Sequence, residues 1–213
     1  NSISALSSMR HLVKLSLEGC INITDLSPLS MCTKLQTLDL DGLQNLKTIN
    51  SLRNCVNLTI LFLKSTSVTD LSVIKNFPKL RRLSIENTQL VTIEAIRNCP
   101  HLEILDMDNS RIADINSFEA CASTLKDAYL ERTPITNIDI LRRCSALERL
   151  IINGSRVTSI APLANCVNLK RLFMNYLPIS DISMLAYCTS LEIISLKSTN
   201  VSDISALANC RNL

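Results

Sequence analysis

Apolar residues recur along this chain in one phrase, Leu-x-x-Leu-x-Leu, which returns at a nearly fixed interval. Its opening leucines stand at Leu12, Leu35, Leu58, Leu80, Leu102, Leu125, Leu147, Leu169, Leu191 and Leu213, at steps of 22 or 23 residues. Self-similarity at such a period marks a solenoid, in which each coil buries its apolar side against the next. The end of the phrase alternates apolar with polar, as at Leu15 and Leu17 or Leu83 and Ile85. That alternation predicts a short strand with one buried face.

The second half of each coil carries its own signature. One residue before a second Leu or Ile stand Asp25, Thr48, Asp70, Thr92, Asp114, Asn137, Ser159, Asp181 and Asp203. All nine side chains can accept a hydrogen bond from the free N–H groups that open a helical turn. The segment that follows is about six residues long and contains Pro28 and Pro162. It therefore reads as a single 3₁₀ or α turn, since Pro is tolerated in a first turn and long 3₁₀ runs are uncommon. The expected fold is an α/β solenoid, curved, with a parallel concave β-sheet and short 3₁₀/α turns on its convex side.

Taken together, the pattern L-x-x-L-x-L-x-x-[TSCL]-x-[IVL]-x-[DTNS]-[IL]-x-x-[LIF]-x-x-C resembles the 22-residue leucine-rich repeats of bacterial internalins and of the phosphatase-regulator class. The resemblance covers the whole chain. Cysteine at the end of the repeat is also similar to the cysteine-containing repeats of eukaryotic F-box adaptors and of protozoan parasite proteins. The Asn ladder usual in such repeats is missing; its position reads Cys20, Leu43, Thr66, Thr88, Ser110, Thr133, Ser155, Leu177 and Thr199. Hydroxyls there are expected to bond the neighbouring coil's backbone as Asn would, and a small rearrangement is expected at Leu43 and Leu177, which cannot. Extra residues near Ile21-Asn22, near Gln44-Asn45 and at Ala122-Ser123-Thr124 disturb the period and belong in loops. Residues 1–213 read as one repeat domain of nine complete coils with partial coils at both ends, the form of a fragment of a longer protein, because solenoids need polar capping repeats.

Charge and residue chemistry narrow the function. A formal charge of +3, spread along the chain, is too small for a phosphate-binding stripe, so nucleic acid is not an expected partner. Apolar runs such as Ile60-Leu61-Phe62-Leu63 fall far short of the roughly 18–20 residues that span a bilayer, so no membrane insertion is expected. Eight of the nine cysteines (Cys32, Cys55, Cys99, Cys121, Cys144, Cys166, Cys188 and Cys210) share one phase of the repeat, which Met9 and Phe77 occupy elsewhere. A slot that accepts Met or Phe is apolar, and no zinc-ligand spacing is present, so these thiols read as core filler. So many unpaired thiols favour a reducing setting, intracellular and cytoplasmic. His11 and His101 sit in a tolerant surface position, and no phosphate-cradling glycine motif exists. Neither a catalytic centre nor a cofactor nor a small-molecule substrate is therefore expected.

What remains is a surface. Between the second and third anchors, side chains must leave the sheet on the side away from the core: Ser16, Asp39, Phe62, Ser84, Asp106, Tyr129, Ile151, Phe173 and Ser195. Flanking rows hold Arg82, Arg149 and Arg171 on one side and Asp108 and Glu131 on the other, with Tyr176 near a strand end. Tyr129, Ile151 and Phe173 fall on successive coils and predict one aromatic-apolar stripe flanked by Arg149 and Arg171, the composition of protein-interface centres. These residues, from Phe62 to Tyr176, are the candidate site for another protein. The resemblance leaves two other roles open, substrate recognition within a ubiquitin-ligase or other enzyme complex, and surface adhesion.

Overall fold

The computed structural model describes residues 2–213. Nine three-residue strands form one sheet in sequence order, every neighbouring pair parallel. They are β1 (Lys14–Ser16), β2 (Thr37–Asp39), β3 (Ile60–Phe62), β4 (Arg82–Ser84), β5 (Ile104–Asp106), β6 (Asp127–Tyr129), β7 (Arg149–Ile151), β8 (Arg171–Phe173) and β9 (Ile193–Ser195). Ten short 3₁₀ turns, from Ser4–Ser8 to Ser205–Asn209, run along the opposite side. Every turn is 3₁₀, so of the two expected forms the tighter one is realised throughout the described residues.

Each polar residue before the second apolar anchor accepts the N–H two residues on, which opens the turn. Asp70 Oδ1 accepts from Ser72 N–H at 2.8 Å, Asn137 Oδ1 from Asp139 at 2.7 Å, and Ser159 Oγ from Ala161 at 3.3 Å, and the other six coils do the same. These bonds, all to exposed groups, hold the Asp70, Asp181 and Asp203 carboxyls below their usual range. The extra residue before Leu125 is absorbed by lengthening the turn Asn116–Cys121 by one residue, with Ala122 in the right-handed helical region.

The middle anchor of each strand stacks directly on its neighbours, as in the register Leu105, Ala128, Leu150, Leu172, all fully buried. Eight cysteines are buried and Cys20 is exposed. Met9, in the same phase, is 45% exposed, because no described coil precedes it. The buried thiols do more than fill space. Cys166 Sγ lies 3.4 Å from the Leu141 carbonyl and Cys188 Sγ 3.4 Å from that of Leu163, one coil back in each case. Burial pushes the Cys99, Cys121 and Cys166 thiols up to about 12. Titration of the native protein with a thiol reagent is therefore expected to find one reactive group, Cys20, and denaturant to release all nine. Several fast-reacting thiols in the native state would contradict this packing.

Two expectations about the ladder position are corrected. Thr66, Thr88, Thr133 and Thr199 donate to a carbonyl three residues back in their own coil, at 2.7–2.8 Å, and not to the neighbouring coil. Their short side chains reach the carbonyl beneath them and cannot span the gap between coils. Nor does Leu43 force a rearrangement: its N–H meets the Leu40 carbonyl at 3.3 Å, the same bond Thr66 makes to Leu63, and both Leu43 and Leu177 are fully buried. Ser110 and Ser155 occupy the slot with buried hydroxyls that have no partner. Ser110→Thr is therefore expected to raise stability by about 0.5–1.5 kcal/mol in chemical denaturation, by supplying the bond its neighbours Thr88 and Thr133 already make. An unchanged midpoint would mean that Ser110 is hydrated in solution.

Candidate functional site

Because the core claims every second side chain of a strand, the first and third residues of β1–β9 face away from it. The register puts Tyr129, Ile151 and Phe173 side by side on β6, β7 and β8. All three are half-buried, more sheltered than fully projecting side chains, since the sheet and their neighbours cover their bases. Arg149 donates to the Tyr129 hydroxyl, its guanidinium carbon lies 5.8 Å from that ring's centroid, and it stands 3.5 Å from Asp127. Hydrogen bonding to Tyr129 raises the Arg149 pKa further. Arg171 lines a shallow depression with Lys170, Glu148, Glu192 and Asp127, yet it makes no ion pair among the described residues.

The other candidates divide by position. Phe62 lies on β3 with the Arg82 guanidinium carbon 5.0 Å from its ring centroid, and Ser84 and Asp106 separate it from Tyr129. Ser84, one of the projecting row, is buried. Tyr176 stands off the strand, 57% exposed, with Lys197 Nζ 5.6 Å from its ring. It holds a left-handed backbone (φ 63°), in a loop where each coil places one such residue and where Gly154 has φ 60°. Tyr187 is exposed on the convex side.

The row bearing Asp108 and Glu131 supplies the coil-to-coil ladder that the hydroxyl row does not. Asp41 Oδ1 accepts Lys64 N–H at 2.7 Å, and Asp108 Oδ1 accepts Glu131 N–H at 2.6 Å. Asn153 Oδ1 accepts Asn175 N–H, and Asn175 Oδ1 accepts Lys197 N–H, both at 2.8 Å. The same bond is thus made by carboxylates early in the chain and by amides late. Burial is the largest cause that pushes the Asp41 carboxyl up to about 6 and the Asp108 carboxyl up to about 7, with neighbouring acids adding to it. Asp106 is raised for the same reason. The repeated Asp-x-Asp at Asp39-Asp41 and Asp106-Asp108 is the one spacing signal near these carboxyls, and it does not by itself mark them as sheltered.

Charge on this face is polarised. In the two projecting strand positions and the ladder row, β1–β6 carry eight carboxylates against three cations, while β7–β9 carry Arg149, Arg171 and Lys197 and no carboxylate. A further row just before the strands, missed in sequence, alternates in sign and pairs with itself, as in Lys126–Glu103 at 3.1 Å and Lys170–Glu148 at 2.8 Å. No three His, Cys, Asp or Glu side chains converge to hold a metal ion among the described residues. Nor is any helix there long and apolar enough to cross a membrane.

Comparison with known proteins matches residues 78–120 to a family model described as leucine rich repeats (2 copies). Among solved structures, an internalin (inlF) from Listeria monocytogenes superposes with a TM-score of 0.89 at 24% identity, over 100% of this chain and 69% of that one. An internalin C2 from the same organism gives 0.73 at 28% identity, over 94% and 78%. The ectodomain of the plant membrane receptor kinase GASSHO1/SCHENGEN3 from Arabidopsis thaliana, in complex with CASPARIAN STRIP INTEGRITY FACTOR 2, gives 0.79 at 16% identity, over 93% and 26%. A search of curated protein sequences returns no match.

Proposed function

We propose that this chain is a leucine-rich-repeat scaffold that binds a partner protein on the exposed face of its sheet and catalyses no reaction. The observation that carries the reading is the register of Tyr129, Ile151 and Phe173 on adjacent strands, flanked by Arg149 and Arg171. Core demand does not account for these side chains, because Ala128, Leu150 and Leu172 already fill the buried side of the same strands. Large apolar groups and arginines clustered on a rigid surface are what interface centres are built from. The plant receptor with a similar fold is itself held in complex with another factor, which is consistent with the reading. The eight buried free thiols further favour a reducing, intracellular setting.

Single substitutions Tyr129→Ala, Phe173→Ala and Arg171→Ala are each expected to weaken binding of the protein recovered with the wild-type chain by about 1–2 kcal/mol, with far-ultraviolet circular dichroism unchanged and melting lowered by no more than about 4 °C. Wild-type affinity in all three, together with weakened binding on substitution of the convex Tyr187 or Arg143, would move the site to the other side.

A further inference from the structure

The ladder row poses a question that the fold does not answer. Asn153 and Asn175 make the coil-to-coil bond with a neutral amide, whereas Asp41 and Asp108 make it with a carboxylate in a position that burial penalises. Structure alone would be served by Asn in every coil. Asp108 spends one oxygen on Glu131 N–H, and its second has no donor among the described residues. Beside it, Asp106 is engaged through Oδ1 with Asp108 N–H and through Oδ2 with the Ser84 hydroxyl at 3.4 Å. At the other end of the stripe, Arg171 makes no ion pair among the described residues, the nearby Asp127 and Glu148 being engaged by Arg149 and Lys170. A carboxyl is kept where an amide would serve, with one Asp108 oxygen free of donors, and Arg171 stands three strands away with no ion pair among the described residues.

We propose that the partner docks an extended segment across the strands, with a basic side chain over Asp106 and Asp108, apolar side chains on Tyr129, Ile151 and Phe173, and an acidic side chain over Arg171. This rests on the binding face proposed above and adds the polarity of what it binds. Asp106 on β5 and Arg171 on β8 are three strands apart. At about 4.8 Å per strand the gap is about 14 Å, which four or five extended residues span at about 3.3 Å each. The basic and acidic residues of the partner therefore stand four or five positions apart, with apolar residues between them.

Synthetic nine-residue peptides with a common Leu- and Tyr-containing centre test this by fluorescence anisotropy against the whole chain. One pair carries Arg and Glu five positions apart, in the two possible orders; a third peptide carries Arg at both positions and a fourth Glu at both. One of the mixed peptides is expected to bind at least tenfold more tightly than either single-sign peptide, and to lose that advantage in 0.5 M salt, where the screening length is about 4 Å. Arg171→Glu is expected to move the preference to the double-Arg peptide, while Phe173→Ala weakens all four. Equal affinities that all fall in Phe173→Ala would overturn the polarity and leave the binding face standing. Affinities indifferent to Phe173→Ala would overturn both, and failure of both mixed peptides to bind at millimolar concentration would overturn the polarity.

Discussion

Replacing Leu150 by alanine is expected to destabilise the protein by about 2–5 kcal/mol, toward the upper end of that range. Leu150 is fully buried and stacks between Ala128 on β6 and Leu172 on β8. Truncation would place a second alanine beside Ala128. The flanking strands are held in position by backbone bonds such as Ile152 N–H to Phe173 O at 2.8 Å, so the void cannot close by collapse. In a stack where each coil touches its neighbours alone, a weak junction also loosens both halves. Phe173→Ala, on the opposite face of the adjacent strand, is expected to cost about 1 kcal/mol or less. Chemical denaturation of the two variants side by side checks this, and equal losses would mean that the two faces of the sheet have been assigned wrongly.

The second large effect runs in the stabilising direction. Asp108→Asn and Asp41→Asn keep the oxygen that accepts the next coil's N–H and remove a charge that burial disfavours. The folded pKa of Asp108, about 7, exceeds its ordinary value of 3.8, so between about pH 4 and pH 7 the folded state holds a proton the unfolded state has lost. Stability from this group is therefore present below pH 4 and lost as pH rises through 7. Asp41 acts in the same sense up to about pH 6. Since both side chains are partly solvated, the gain at neutral pH is expected to be roughly 1–2 kcal/mol per site, well below the full linkage value. Denaturation midpoints at pH 4.5 and 7.5 read the result: the double variant should be more stable than wild type at 7.5 and close to it at 4.5. A double variant less stable than wild type at both would mean that the carboxylates serve the fold.

How far the sequence leads follows from what a residue type can encode. Leucine, isoleucine and cysteine at fixed phase announce burial, because one-sided burial leaves a periodic trace, and the repeat, the strands and the stripe on β6–β8 are legible for that reason. Asp70 or Asn137 before a turn announces a cap for an equally local reason, its acceptor lying two residues from the donor. Hydrogen bonds between coils carry no such trace. By residue type alone Thr66 and Asp108 are equal candidates for a bond between coils, yet the shorter Thr66 turns onto its own coil and Asp108 bridges to the next. Gly19, Gly42, Gly154, Asn87 and Asn109 are of types that favour the left-handed loop position, whereas Arg132 and Tyr176 adopt it despite their side chains. Likewise the sheltered carboxyls of the ladder row depend on neighbours from three coils, which no single repeat reveals.

The central claim, that the exposed face of the sheet is the binding surface, is tested most directly by a photo-crosslinking residue placed in turn at Phe173 and at Tyr187, two positions on opposite sides of the solenoid. Irradiation of the wild-type complex is expected to join the partner to position 173 and to leave position 187 free. Crosslinking from 187 with none from 173 would contradict the account.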